Sequence, residues 1–459
     1  MTKKIRLIIL LVCVASFFII APYIVMYSMG YKLDFETWEV TATGGIYVRT
    51  YPQADEITFD SKIVKKPSMF GNSVFVQDLL PRQHSVSIKK AGYFDYSKTL
   101  EVKEKEVTKI ENIVLFKNNT AFDNLLSNVE SFSVSPDKKN ILAEITNTKS
   151  LNFVYFGVSS PTNQKKYSLA LPYTTVLDVI WSNDSNKALI KTYSTANGTS
   201  YYLFDFSKET QSATPLSYLD ATSKEVSFNP QDSSQILYMK NKTLYSVKNK
   251  TTTITKNCIT YKIVDGNILW MSSDGLLSKS DTSGKLIEEM TKEPIILSAD
   301  ENYKIETISG KTLLTSNNAL YLYNPEMEAF DNFDIKINNY KLLQSPDGKN
   351  MVYYNGSDIY LYTFDETSKE NNIKLFSANN WETISNCFWL NNEYVIFESG
   401  NKIIISEIDY RGNINMAYLP QNYEPSTDST NPKISFNSEN NKVYVLTGGI
   451  LYSSEKLTP

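Results

Sequence analysis

The side chains able to carry chemistry are few and widely spaced. The 459-residue chain holds one histidine, His84, and three cysteines, Cys13, Cys258 and Cys387. One imidazole is too few for a histidine-rich metal site. Cys13 lies in a long apolar run, and Cys258 and Cys387 are far apart in sequence, so they are expected to be separate buried thiols; they would pair only if the fold brought their α-carbons within about 7 Å. No Gly-x-Ser-x-Gly elbow, glycine-rich phosphate loop or calcium-loop pattern occurs. Asp265-Gly266, Asp274-Gly275 and Asp347-Gly348 could each touch a cation, but Asp-Gly is first of all hairpin-turn chemistry. Paired carboxylates for glycoside cleavage stay open, because their separation in space is not written in the sequence. Trp181, Trp270, Trp381 and Trp389 offer flat faces to a sugar, with packing as the expected use. No catalytic, cofactor-binding or metal-ligating residue is therefore expected, and no cofactor.

What positions these residues begins at the N-terminus. Residues Leu7 to Met29 form an uncharged apolar run of 23 positions. As a helix it spans about 34 Å, enough for a hydrocarbon core of about 30 Å. Lys3, Lys4 and Arg6 precede it and Tyr23, Tyr27 and Tyr31 cluster at its far end. Positive charge stays cytoplasmic and tyrosine favours the interface, so the N-terminus is expected inside and the remainder outside. The rival is a cleaved signal peptide, whose apolar region is normally about 7–15 residues and ends at a small-x-small site; this run is longer and no Ala-x-Ala follows. Leu10-Leu11-Val12-Cys13 faintly resembles a lipoprotein box, but Val12 is too large for that cleavage.

Composition limits the classes of function. The chain is 42% hydrophobic and 21% charged, as a folded protein is, and its 31 Tyr and 22 Phe favour strands. A net charge of −4 argues against nucleic acid, which demands a dense basic surface. The length is too great for one ordinary domain.

Three segments are expected: 1–31, cytoplasmic tip and transmembrane anchor; 44–117, a small β-sandwich; and 120–459, a larger repetitive all-β domain. Residues 32–43 read as a connector. In the second segment about six short strands alternate apolar and polar residues, including Ile46–Thr50, Ile57–Asp60, Ser73–Val76, His84–Lys90, Lys98–Val102 and Lys109–Leu115. The stretch Tyr51-Pro52-Gln53-Ala54, then Leu80-Pro81-Arg82-Gln83-His84, then Ala91-Gly92-Tyr93 resembles a PEGA domain. It departs from that family with Pro-Gln-Ala-Asp at the naming motif and with Arg82 where glycine is common. The resemblance implies a surface-protein β-sandwich of bacteria and archaea without enzymatic activity, and a structural Gly-Tyr pair. His84 is taken as a strand-edge residue.

The third segment repeats. Val134-Ser135-Pro136-Asp137, Trp181-Ser182-Asn183-Asp184, Phe228-Asn229-Pro230-Gln231, Gln344-Ser345-Pro346-Asp347, Trp389-Leu390-Asn391-Asn392 and Phe436-Asn437-Ser438-Glu439 recur at steps of 47, 47, 116, 45 and 47 residues. The step of 116 holds two weaker copies, around Tyr261–Trp270 and Tyr303–Leu314. Eight units of roughly 40–47 residues match four-stranded propeller blades, with seven blades as the alternative. In each unit a capped turn follows the first strand, and the third strand is aromatic, as at Phe153–Phe156, Tyr201–Phe204, Leu320–Tyr323 and Ile359–Tyr362. Closure should pair a strand from Asn124–Phe132 with the last blade near Val443–Leu451. The Ser345-Pro346-Asp347-Gly348-Lys349 turn resembles that of TolB-like and other WD-related propellers, although the Trp-Asp dipeptide is absent. Ser272-Ser273-Asp274-Gly275 faintly resembles an Asp-box without its tryptophan. Gln421–Asn431 reads as an exposed loop and contact site.

The expected function is a non-enzymatic, membrane-anchored extracytoplasmic binding or scaffold protein of the bacterial cell envelope. Its partner would be an envelope protein, peptide or glycan on a propeller face. The alternative is a propeller-type hydrolase or lyase acting on envelope polysaccharide.

Overall fold

The computed structural model describes residues 3–34, 37–65, 67, 71–208, 212–364, 371–379, 381–420 and 432–458. The chain forms two compact units. The first comprises Met1–Thr120, Ile405–Pro420 and Leu457–Pro459; the second comprises Ala121–Ile404 and Gln421–Lys456.

In the first unit, a helix over Lys3–Ser28 continues through Pro22. Within its stretch Lys4–Ser28 an 18-residue window has a mean hydropathy of 2.8 and is not buried, so the helix is long and apolar enough to cross a membrane. It stops at Gly30, whose φ of +80° lets its N–H reach back to the Tyr27 carbonyl. The expected connector is instead a hairpin, with Tyr31–Asp34 paired antiparallel to Glu39–Ala42. Each strand has only four residues, too short for a period to be read.

Two sheets follow. One has three strands in the order Ser73–Leu79, Gly44–Tyr51, Val107–Val114; the other has four, Ile63–Lys65, Glu56–Phe59, Gln83–Lys89, Tyr96–Glu101. Inward residues of both, among them Ile46, Val48, Ile57, Phe59, Val86, Ile88 and Ile110, fill one core. Among the described residues the sandwich has seven strands rather than about six, the addition being the three-residue Ile63–Lys65. His84 is not an edge residue. It takes an inward position and is 3% exposed. Its Nδ1 lies 2.6 Å from Asp60 Oδ2 and its Nε2 2.8 Å from the Leu80 carbonyl, so both nitrogens brace turns.

Lys98, 1% exposed, is the most buried cation of this unit. Its Nζ donates to Glu407 Oε1 at 2.6 Å and to the carbonyls of Asp409 and Asn413. Tyr96 and Asn415 complete the shell of Glu407. Beside it, Asn413 accepts from Thr99 N–H and donates to the Ser97 carbonyl, while Asn415 accepts from Ser97 N–H. Two side-chain amides thus occupy backbone groups that an edge strand leaves unpaired. Gly412 must approach closely here: a Cβ would stand 2.0 Å from the Thr99 carbonyl oxygen.

Among the described residues of the repetitive segment there are eight four-stranded antiparallel sheets, one per expected unit. The first strands are Val129–Val134, Thr174–Trp181, Lys224–Asn229, Cys258–Val264, Lys304–Ile308, Lys341–Gln344, Ile384–Trp389 and Lys433–Asn437, here blades one to eight. First strands of several successive blades approach one another, which makes them the inner strands of a β-propeller. The two weak copies are blades four and five. Closure pairs Phe122–Ser127 with Ile450–Ser454, somewhat outside both expected windows.

The recurring turn has one hydrogen-bond plan. In blade one, Ser135 Oγ donates to Asp137 Oδ1, and Lys139 N–H donates to the same oxygen. Ser182/Asp184 and Ser345/Asp347 repeat it. Successive turns also join: Asp137 N–H donates to Ser185 Oγ, Ser233 Oγ to Asp184 Oδ2, Asp347 N–H to Asn392 Oδ1, and Asn437 Nδ2 to the Lys138 carbonyl. Between blades lie apolar layers such as Phe153, Tyr167, Ala188, Ile190 and Phe204. Cys258 and Cys387 are buried free thiols, as expected.

Removing one partner of a buried ion pair costs about 3–5 kcal/mol, whereas replacing both by apolar side chains is far less costly. Lys98→Met should therefore speed amide exchange over residues 96–101 of the full chain, and the Lys98→Met/Glu407→Leu double variant should return most of the protection.

Candidate functional site

The inner strands of blades three, four and five enclose a cleft of about 310 Å³, lined by Glu225, Ser227, Thr260, Tyr261, Lys262, Lys304 and Glu306 with Val226, Phe228, Ile263 and Ile305. A bulge in blade three between Lys224 and Ser227 contains Glu225, held at a φ of +48°. Bulges re-aim side chains. Lys304-Ile305-Glu306 alternates along its strand, with Ile305 in the core between its two charged neighbours.

Each polar group has a defined role. Glu225 Oε2 accepts from Thr260 Oγ1 at 3.1 Å and from Tyr261 N–H at 3.2 Å. Tyr261 donates its hydroxyl proton to the Glu225 carbonyl at 2.7 Å and shares a 2.8 Å hydrogen bond with Ser227. Lys262 pairs with Glu306 at 2.9 Å. Burial pushes the Glu225 carboxyl up to about 7; the Glu306 charge adds to this, while the Tyr261 and Thr260 hydrogen bonds and the Lys304 charge oppose it. Burial, with the Glu225 charge, also pushes the Cys258 thiol up to about 12, far from a reactive thiolate.

Two more acids are buried on second strands, each opposite an inner-strand serine. Ser131 donates to Glu144 at 2.7 Å, and Ser385 donates to Glu398 at 3.4 Å. Burial raises the carboxyl of Glu144 and pushes that of Glu398 up to about 8. Glu398 is fully buried, and its Oε2 has no partner.

The residues weighed in the sequence do not form a site together. Trp181 donates to Ser133 and Trp389 to the Leu343 carbonyl, each tying its blade to the one before. Trp270 packs beside Leu244 and Tyr261, and Trp381 is fully exposed. Asp265 and Gly266, both at positive φ, make a two-residue turn between paired strands. Asp274 accepts from Asn257, and Asp347 serves its own turn. The loop Gln421–Asn431 lies outside the described residues. Sequence reasoning missed Glu225, Lys262, Lys304 and Glu306. The available signal was their placement on the first strands of three successive repeats.

No protein-family model matches the sequence, and no curated protein matches it. Solved structures do resemble it. The C-terminal WD40 domain of Sif2 aligns with a TM-score of 0.50 at 13% identity, over 73% of this chain and 98% of that one. BamB from Moraxella catarrhalis gives 0.45 at 12% identity, over 73% and 99%. YCF48 from Cyanidioschyzon merolae gives 0.41 at 12%, over 62% and 96%. At such identity the likeness to the WD40 domain shows the fold alone.

The raised acids set a pH dependence. A carboxyl with a folded value of about 8 keeps a proton that the unfolded chain, near 4.5, has released. Its contribution to stability is therefore fully present below about 4.5 and is lost as pH rises toward 8. Glu398→Gln, which keeps the shape without the charge, should raise the melting temperature at pH 8 and leave it nearly unchanged at pH 5. An equal shift at both pH values would contradict this account.

Proposed function

We propose that the chain is a non-enzymatic interaction platform of the bacterial cell envelope. The N-terminal helix anchors it in the membrane, and both β units lie outside the cytoplasm, where the propeller holds a protein or peptide partner on one face. The observation that carries the reading is a patch on blade two. Tyr173, Leu177 and Tyr193 are 79%, 53% and 47% exposed around the paired strands Thr174–Trp181 and Lys187–Ser194. Large apolar side chains grouped at a surface are the usual anchors of protein interfaces. Lys4 and Arg6, at the start of the helix and before its apolar run, support a cytoplasmic N-terminus. The PEGA-like motifs of the sandwich and the WD40-type fold of the propeller fit the same role.

A second reading, hydrolysis or elimination on an envelope polysaccharide, rests on Glu225 beside Glu306. One is a carboxyl that holds its proton near neutral pH, and the other is an ion-paired carboxylate.

The full-length chain in detergent, used as bait against solubilised envelope of its host, separates the two. The platform reading expects a saturable partner whose retention falls at least tenfold in Tyr173→Ser/Leu177→Ser/Tyr193→Ser. Shortened glycan in the eluate, absent with Glu225→Gln, would replace that reading with the second.

A further inference from the structure

The cleft of blades three to five contains two charges that the protein leaves unmatched. Glu225 engages only Oε2; Oε1 has no partner among the described residues. Lys304 Nζ makes no hydrogen bond or ion pair with any described residue, although its charge is felt at Glu225. The other two charges of the cleft, Lys262 and Glu306, neutralise each other. Tyr261 spends its hydroxyl on the Glu225 carbonyl and Ser227. One carboxylate oxygen and one exposed ammonium therefore line the same open cleft, with the other polar groups around them already satisfied.

We propose that this cleft binds a small zwitterion, an α-amino acid or the free amino-acid end of a larger molecule, with its ammonium on Glu225 and its carboxylate on Lys304. A volume of about 310 Å³ is at the small end of ligand pockets, roughly 300–1,000 Å³. A ligand with a single charge would match only one of the two groups. A zwitterion matches both, and the half-buried setting of Glu225 strengthens the contact to its carboxylate. The apolar residues Val226, Phe228, Ile263 and Ile305 would pack the part of the ligand between or beyond its charges. This inference stands apart from the platform reading, because it concerns the inner wall and not the patch of blade two.

The site should also respond to pH. The groups around Glu225 are Lys224 on its own strand, Cys258, Tyr261 and Lys262 on the next, and Lys304 and Glu306 on the third. With the Glu225 carboxyl near 7, its ionised fraction rises about tenfold between pH 6 and pH 8, while a free amino acid keeps its ammonium. Affinity should rise by a similar factor.

The test is titration calorimetry on the full-length chain in detergent with four probes. L-alanine and Nε-acetyl-L-lysine carry both charges, the second modelling an amino-acid end attached through its side chain. Nα-acetyl-L-alanine and L-alanine amide each lack one. The proposal expects saturable binding of at least one of the first pair, at least tenfold weaker binding of both in the second, and tighter binding at pH 8 than at pH 6. Preference between alanine and Nε-acetyl-lysine identifies the free or the attached source. Glu225→Gln should abolish the pH dependence. Lys304→Met, at an exposed position that leaves the fold intact, should weaken binding at least tenfold. No heat from either zwitterion, equal binding of all four probes, or unchanged affinity in Lys304→Met would overturn it.

Discussion

Pairing of Phe122–Ser127 with Ile450–Ser454 is the constraint on which the larger unit depends. A row of four-stranded sheets has two open ends, each exposing an apolar face and an unpaired strand edge. Here the last sheet takes its outermost strand from the beginning of the segment, so both ends are covered by one event. Packing follows the same logic. Val129, Ile141 and Val154 of blade one share a cluster with Tyr444, Leu446 and Leu451 of blade eight, as adjacent blades do elsewhere in the ring. The hydrogen bond from Asn437 to the Lys138 carbonyl repeats across the closure what Asp137 and Ser185 do between blades one and two.

Charge is handled in opposite ways at three places. Lys98 is buried with a full set of acceptors, which makes it a fastener. His84 is buried with both nitrogens engaged, which removes it from any ligand role. Glu225, half-buried, and Lys304, exposed, are left without a protein partner toward one cleft. The last arrangement leaves both groups able to take an outside partner, and that contrast separates a site from a brace.

Much of the architecture was legible because it is periodic. Ser135, Ser182 and Ser345 recur with their aspartates because a serine–aspartate turn satisfies backbone groups at each hairpin, and the spacing between them is the length of a blade. Blades four and five were faint because their first turns use Asp265-Gly266 and Ser309-Gly310, which reach positive φ by another chemistry. The hairpin at residues 31–42 was missed because four-residue strands carry no period. His84 was misplaced because a polar residue next to the Leu80-Pro81-Arg82 turn reads as a strand edge, whereas it lies in phase with Val86 and Ile88 and finds its partners, Asp60 and Leu80, in other turns. The cleft was legible only as charged residues on the first strands of three successive repeats. Its charges come from strands beginning at Lys224, Cys258 and Lys304, and only ring curvature makes neighbours of them.

Closure also dictates an order of events during synthesis. The two strands that complete the ring are more than 300 residues apart, so one must wait for the other to leave the ribosome. Contacts of such long range slow folding, and until they form, blade eight lacks its outer strand and blade one its neighbour. The intermediate sheets can assemble locally in the meantime, since each is made of consecutive strands. A protein of this plan is exposed to proteases and to mispairing for the whole interval between its first strand and its last, chiefly at its two ends.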